Sequence, residues 1–343
     1  MNICPISVVI PTYQRPADLL KALAHIQQCD PRPAEIIVHI DNDDHQTETI
    51  LQAQGNDALV ILKSDTQVGP GGGRNRAIAK AQYDIVASFD DDSYPLDRDY
   101  FARLLQLFDR FPKAAVIGAA IYHLGEPIQP DRPTATWEHA FVGCGCAYRR
   151  SAFLATQGYV ELPLAYGMEE VDLSLRLHHQ GWGVLITPWL RVFHDTHLAH
   201  HNHPKITAAS ITNQALLTYL RYPPTYWGVG AGQVLSRILW LLRHQRRAGV
   251  LQGIVNIPGL ISQHSPLRQT VSPQTLRHFL HLRKQPVKVE SSNEALENLS
   301  NMSSASLSQT STHHLEPGKP NDSKSLCQTW ERDLGRGLSQ GNE

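Results

Sequence analysis

Three aspartates in a row, Asp90-Asp91-Asp92, directly follow the apolar run Ile85-Val-Ala-Ser-Phe89. Adjacent carboxylates at a strand end repel one another unless a cation sits between them. A divalent ion held by carboxylate oxygens also binds a diphosphate and neutralises charge as a phosphate-linked group departs. Alone, the triplet fits a solvated loop or a helix cap just as well. A second group is the glycine run Gly69-Pro-Gly71-Gly-Gly73, which leads into a helical pattern that starts near Arg74 and Asn75. Backbone N–H groups and the helix dipole at such a start suit an anionic or polyhydroxyl ligand, although a glycine run can also be a flexible connection.

A third group is Glu169-Glu170-Val-Asp172, ahead of the helical Leu173-Ser-Leu175-Arg-Leu177. Acids there bias a helix N-terminus, and Asp172 reads as a cap or orienting residue of the helix that follows. The histidines His194, His197, His200, His201 and His203 form a fourth. Zinc requires dedicated ligands in a tight geometry, so all but His194 read as loop histidines. The five cysteines, Cys4, Cys29, Cys144, Cys146 and Cys327, are odd in number and contain no CxxC pair. Neither a disulfide framework nor a four-cysteine zinc site is expected, and a reduced cytosolic setting fits. Cys144 and Cys146 have no evident base beside them and read as small packing residues.

The elements that must position these groups alternate. Strand patterns at Ile6–Ile10, Glu35–Ile40, Leu59–Leu62 and Ile85–Phe89 are separated by helical patterns at Asp18–Gln28, Thr47–Gln54 and the segment from the glycines to Ala81. Such alternation predicts βαβ units: an α/β, Rossmann-like, mostly parallel sheet flanked by helices. Ligands in such sheets bind beyond the carboxyl ends of the strands. The polar clusters Thr12–Arg15, Asp41–Asp44 and Asp90–Asp92 all fall there, on one edge of one sheet.

Charge divides the chain further. Formal net charge is −1, which gives no reason to expect nucleic acid. Residues 1–205 carry 17 basic and 24 acidic groups, whereas residues 206–284 carry nine basic groups and no carboxylate. The helical pattern of the second segment, interleaved with Tyr226, Trp227 and Trp240, suits an anionic membrane surface or a lid packed on the acidic first segment. Residues 285–343 are rich in Ser, Asn, Thr and Gln, and are expected to be a disordered tail. No apolar stretch is long enough to span a bilayer, and no leader is expected at the N-terminus.

Five segments together resemble the family 2 glycosyltransferases of GT-A fold: ISVVIPTYQRPADL, AEIIVHIDNDDHQTET, VGPGGGRNRAIAKA, SFDDDSYPLDRDYF and AYGMEEVDLSLRLHHQGWGVLITPWLRVFH. They cover roughly residues 5–200 in the family's order. The resemblance implies a catalytic domain over 1–205 followed by a helical region at 206–284. It implies transfer of a sugar from a nucleoside-diphosphate sugar to a glycan or lipid-linked acceptor, in one inverting displacement, as in cell-envelope polysaccharide biosynthesis. Peripheral association with the cytoplasmic face of a membrane is expected. Donor-binding positions carried over are Pro11, Thr12, Tyr13, Arg15, Asp41, Gly71, Arg74, Asn75, Asp90 and Asp91. Asn42-Asp43-Asp44 stands where the family usually has Gly-Ser. Asp90 and Asp92 match the DxD motif and, with His194, would hold Mn2+ or Mg2+.

The acid pair of the family falls on Glu169 and Glu170, with Glu170 as the base that takes the acceptor proton and Asp172 nearby. Gly143 and Gly145, in a segment resembling the acceptor floor, and Trp137 and Trp182, as sugar platforms, complete the expected site. Two other readings fit less of the sequence. A sugar-phosphate nucleotidyltransferase leaves the acid pair without a role. A non-catalytic nucleotide- or carbohydrate-binding module leaves both acid groups without one.

Overall fold

The structure, a computed structural model, describes residues 2–55, 59–162, 164, 166–196 and 203–289. The first half runs β1 (Ile3–Thr12), α1 (Pro16–Gln27), β2 (Arg32–Ile40), α2 (His45–Gln52), β3 (Leu59–Lys63), α3 (Gly69–Lys80) and β4 (Ile85–Phe89). β1 pairs in parallel with both β2 and β4, and β2 with β3. Strand β1 is central, so Ile6, Val8, Val9 and Ile10 are all fully buried. This explains why the strand reads as a continuous apolar run rather than an alternating one. Each such side chain contributes about 1.5–3 kcal/mol by leaving water.

The second half is mixed. After β5 (Ser93–Pro95) and α4 (Tyr100–Arg110) come β6 (Ala114–His123), β7 (Ala135–Glu138), β8 (Gly145–Arg149), α5 (Arg150–Leu154), α6 (Glu169–His179) and β9 (Gly183–His194). Antiparallel β8 is inserted between β4 and β6, while β6 and β9 run parallel. The expected parallel sheet therefore describes the β3-β2-β1-β4 half, and hairpin-type pairing extends it beyond β4. The amphipathic α4 buries Tyr100, Phe101, Leu104, Leu107 and Phe108 against one face. On the other face lie Ala77, Ile78, Phe153, Leu173 and Leu177.

The glycine run is not a preceding loop. Helix α3 begins at Gly69, which has a φ of 73°, so the other glycines form the first turns of the helix.

The chain continues with α7 (Pro204–Arg221), α8 (Trp227–Arg243), α9 (Val250–His264), α10 (Pro273–Lys284) and β10 (Val287–Val289). Strand β10 pairs antiparallel with β7, Val287 opposite Trp137. The chain thus returns to the catalytic sheet and does not leave the fold at 285. Residues 290–343 of the expected tail lie outside the described residues, as do His197, His200 and His201. Among the described residues no helix is long and apolar enough to cross a membrane.

Candidate active site

A cleft of about 340 Å³ opens beyond the carboxyl ends of β1, β2 and β4. Its lining contains Pro11, Thr12, Tyr13, Arg15, Asp41, Asp90, Asp91, Asp92 and His194, the nucleotide and metal positions expected from the sequence. Gln67, Gly69, Pro70 and Thr196 also line it. Gly69 and Pro70 open the glycine run singled out in the sequence, whereas no residue-type signal marks Gln67 and Thr196.

Arg15 organises the aspartates. Its Nη1 donates to Asp91 Oδ1 at 2.9 Å and its Nη2 to Asp92 Oδ2 at 2.7 Å. Thr12 Oγ1 adds a bond to Asp91 Oδ2 at 2.9 Å. Burial pushes Asp91 up to about 7 against the opposing pull of Arg15. Burial acts on Asp92 in the same sense, but His194 and Arg15 outweigh it and hold Asp92 at about 2. Asp41 is committed to the backbone, accepting from Val68 N at 2.9 Å and Gly69 N at 3.0 Å. It thereby fixes the start of α3 against the end of β2. Next to it, Asn42 and Asp43 adopt left-handed φ values of 50° and 58°, and Asp44 caps α2 through Thr47 N. The departure from Gly-Ser is thus accommodated by residue types that tolerate this conformation.

Arg74 is buried. Its Nε donates to Ser88 Oγ at 2.9 Å, and its Nη2 reaches both Asp90 Oδ1 and the Gly143 carbonyl. It orients Asp90 from behind and does not line the cleft. Asn75 is engaged within the protein: it clamps Tyr159 by two bonds, to the carbonyl at 2.9 Å and from the N–H at 2.7 Å. The Gly71 N–H, expected to be free for a ligand, donates to Glu169 Oε1 at 2.9 Å.

The acid pair opens α6. Glu169 lies at the N-terminal end of α3, where a side chain on Gly71 would collide with it. Burial and the neighbouring Glu170 push Glu169 up to about 8, and burial raises Glu170 as well. Glu170 presses on the Gly143 backbone, where an added Cβ would stand 2.6 Å from its Oε1. Gly143 therefore sits directly beside Glu170.

Other acceptor assignments are corrected. Trp137 is a core residue of β7, edge-on to Phe111 with ring centroids 6.1 Å apart. Trp182 packs against the second core. Gly145 lies within β8 under Ile121 and Val192, where it makes room for packing. Asp172 neither caps α6 nor faces the cleft: it accepts from Arg176 Nε at 2.9 Å and from Arg221, both buried. The residue at the N-cap position is Met168.

Asp90, Cys144 and His194 bring potential ligand atoms within 4.8 Å of one another. His194 Nε2 also pairs with Asp92 Oδ1 at 3.2 Å. Carboxylates, a thiol and an imidazole converging there are a donor set that fits a divalent cation. Cys144 was missed as a neighbour of this centre, because the β8 approach places it there and no sequence spacing does. Burial raises its thiol against the opposing pull of His194.

Residues 7–155 match the model of Glycosyl transferase family 2. The chain carries a family 2 glycosyltransferase domain. The acid pair Glu169-Glu170 lies beyond the matched span. Ninety residues are 34% identical to the GalNAc(5)-diNAcBac-PP-undecaprenol beta-1,3-glucosyltransferase of Campylobacter jejuni, 25% of this chain and 29% of that protein. The chain thus spans less than a third of the length of that curated relative. The GT-A fold is shared with GalNAc-T7, solved with UDP, GalNAc and Mn2+ (TM-score 0.54, 15% identity, 76% of this chain and 58% of that one). It is shared also with a mannosyltransferase of Pyrobaculum calidifontis, solved with GDP-Man and Mn2+ (TM-score 0.50, 13% identity, 81% and 84%).

Proposed function

We propose that the family 2 domain transfers a sugar from a nucleoside-diphosphate sugar to a hydroxyl of a glycan or lipid-linked acceptor, with inversion. The observation that carries this reading is the placement of two acid groups on either side of Arg74. Asp90, Asp91 and Asp92 line the cleft, while Glu169 and Glu170 converge behind it at Gly71 and Gly143. The relative from Campylobacter, named for an undecaprenol-linked acceptor, supports a lipid-linked one.

Thr12, Tyr13 and Arg15 would receive the nucleotide beyond β1, with Asp41 holding the loop that frames it. Asp90, Asp92 and His194 would hold Mn2+ or Mg2+, which when bound offsets the charge that builds on the leaving diphosphate. The Mn2+ in both fold relatives supports this choice. Glu170, when ionised, takes the proton of the acceptor hydroxyl as its oxygen attacks the anomeric carbon. Arg74, fixed to Ser88, keeps Asp90 in place as charge moves toward the diphosphate.

The test is nucleoside-diphosphate release across a panel of donors, with and without Mn2+, for wild type and Glu170→Gln. Slow release from one donor is expected, abolished by chelation and reduced about 10²–10⁴-fold in the variant. Equal release by wild type and variant would remove Glu170 from the reaction.

A further inference from the structure

The C-terminal helices present a surface that sugar transfer does not use. α8 and α9 pack on α7 through Ile211, Leu241 and Val250. Their outward sides are apolar as well. Leu235, Leu239 and Leu242 form one exposed stripe along α8, at positions i, i+4 and i+7. Leu251, Ile254 and Val255 form another on the first turns of α9, with Leu251 74% and Val255 64% accessible. A helix on the surface of a soluble domain turns a polar side to water, whereas the outward sides of these two are mainly apolar, with Gln252 and Asn256 the polar residues among the exposed ones on the first turns of α9. A groove of about 430 Å³ runs between α7, α8 and α9, lined by apolar side chains such as Val234, Ile238 and Ile261. Trp227 and Leu235 belong to both the groove and the exposed surface, so the two are continuous.

Charge selects the occupant. Residues 206–284 hold no carboxylate, and Arg243, Arg246 and Arg247 gather at the turn between α8 and α9. A second copy of the chain packed here about a two-fold axis would bring these arginines toward their own copies. An anionic leaflet offers phosphates at the level of the arginines and hydrocarbon for the leucines. The two exposed apolar stripes on α8 and α9 fit helices lying in the plane of the interface.

We propose that α8 and α9 insert their apolar faces into an anionic leaflet as an in-plane anchor, with a lipid chain entering the adjoining groove. Helix α7 joins this anchor to the acid pair. Asn213 donates to the carbonyls of Leu164 and Tyr166 at 2.9 and 3.0 Å, in the loop before Glu169, and Arg221 holds Asp172. The anchor thus sets the distance of Glu170 from the membrane. That purpose rests on the transferase reading with a lipid-linked acceptor; the insertion itself does not.

The experiment is flotation of the full chain with equimolar phosphatidylcholine–phosphatidylglycerol vesicles and with phosphatidylcholine alone. It compares wild type, Leu235→Ser/Leu239→Ser/Leu251→Ser/Val255→Ser, and Arg243→Gln/Arg247→Gln. Wild type is expected to float with the anionic vesicles and to retain part of that binding at about 1 M salt, where the screening length is roughly 3 Å. The serine variant is expected to lose at least about a hundredfold in partitioning, since each buried leucine accounts for roughly tenfold. The glutamine variant is expected to weaken only at low salt. Nucleoside-diphosphate release without acceptor should be unchanged in the serine variant, which shows that the fold is retained. The proposal fails if wild type ignores all vesicles, if salt abolishes binding entirely, or if the serine variant binds as wild type does. It fails also if wild type is a dimer that the serine substitutions dissolve. Intact flotation with no release from any donor would instead overturn the transferase reading alone.

Discussion

Arg221, the last residue of α7, donates through Nε to Oδ1 of Asp172 in the first turn of α6, and both side chains are buried. Asp172 also takes Arg176, so one carboxylate pairs with two guanidiniums. Asp172→Ala leaves both cations buried without an anion, which typically costs about 3–5 kcal/mol. A large fall in melting temperature is expected, with turnover per folded molecule little changed. A full loss of turnover at an unchanged melting temperature would instead put Asp172 in the reaction. The arginines hold Asp172 below the usual carboxylate range against its burial. The stability it contributes is therefore present above the unfolded value of about 3.9 and is lost as pH falls through its folded value.

Gly143→Ala places a methyl group 2.6 Å from Glu170 Oε1. The neighbouring Arg74 is fixed by Ser88 and Asp90, so the carboxylate is the group that yields. A shift of the base by less than 1 Å is expected to lower kcat by roughly ten- to a hundredfold, leaving the KM for donor unchanged. A rise in donor KM with kcat intact would move Gly143 from the acceptor side to the donor side.

The acid pair also sets a pH limb. Burial and the charge of Glu170 push Glu169 up to about 8, and Glu170 is raised by burial. A base acts only when ionised, so kcat/KM for donor release should fall toward acid pH along a limb above the ordinary glutamate range. Glu169→Gln removes a negative charge beside Glu170 and should shift that limb to lower pH. For stability the sign is opposite to that of Asp172. The share linked to Glu169 is present below the unfolded value of about 4.3 and is lost as pH rises through about 8. A pH–rate profile together with melts across pH checks both, and a limb unmoved in Glu169→Gln would place the titrating proton elsewhere.

What the sequence made legible was set by local chemistry. β-branched runs such as Ile6–Ile10 and Ile85–Phe89 marked the central strands, and the polar residues just after them fell into one cleft because parallel strands share an end. Residue type alone misled where a partner lay far along the chain. Asn75 is taken up by Tyr159, Asp172 by Arg221, and Trp137 by Phe111 and the β10 strand that returns to cover β7. Cys144 escaped for the same reason: antiparallel β8 brings it to the aspartates across more than fifty positions. The outward leucines of α8 were visible as an apolar pattern, but only packing on α7 shows which of them remain uncovered.

Arg15 grips Asp91 and Asp92 with two different nitrogens, a fork that lysine cannot reproduce. It also occupies the Oδ2 side of Asp92, the carboxylate expected to hold the metal. Arg15→Ala should therefore act in opposite directions on the two ligands. The donor loses a cationic contact in the cleft, and its KM should rise roughly tenfold. Mn2+ gains a carboxylate freed of competition. Because the Arg15 side chain is 41% accessible, screening limits that gain to roughly a few-fold tighter binding by calorimetry. Arg15→Lys should fall between, restoring charge without the fork. If Mn2+ and donor binding both weaken in Arg15→Ala, the guanidinium holds the aspartates in a metal-competent arrangement and does not compete with the ion.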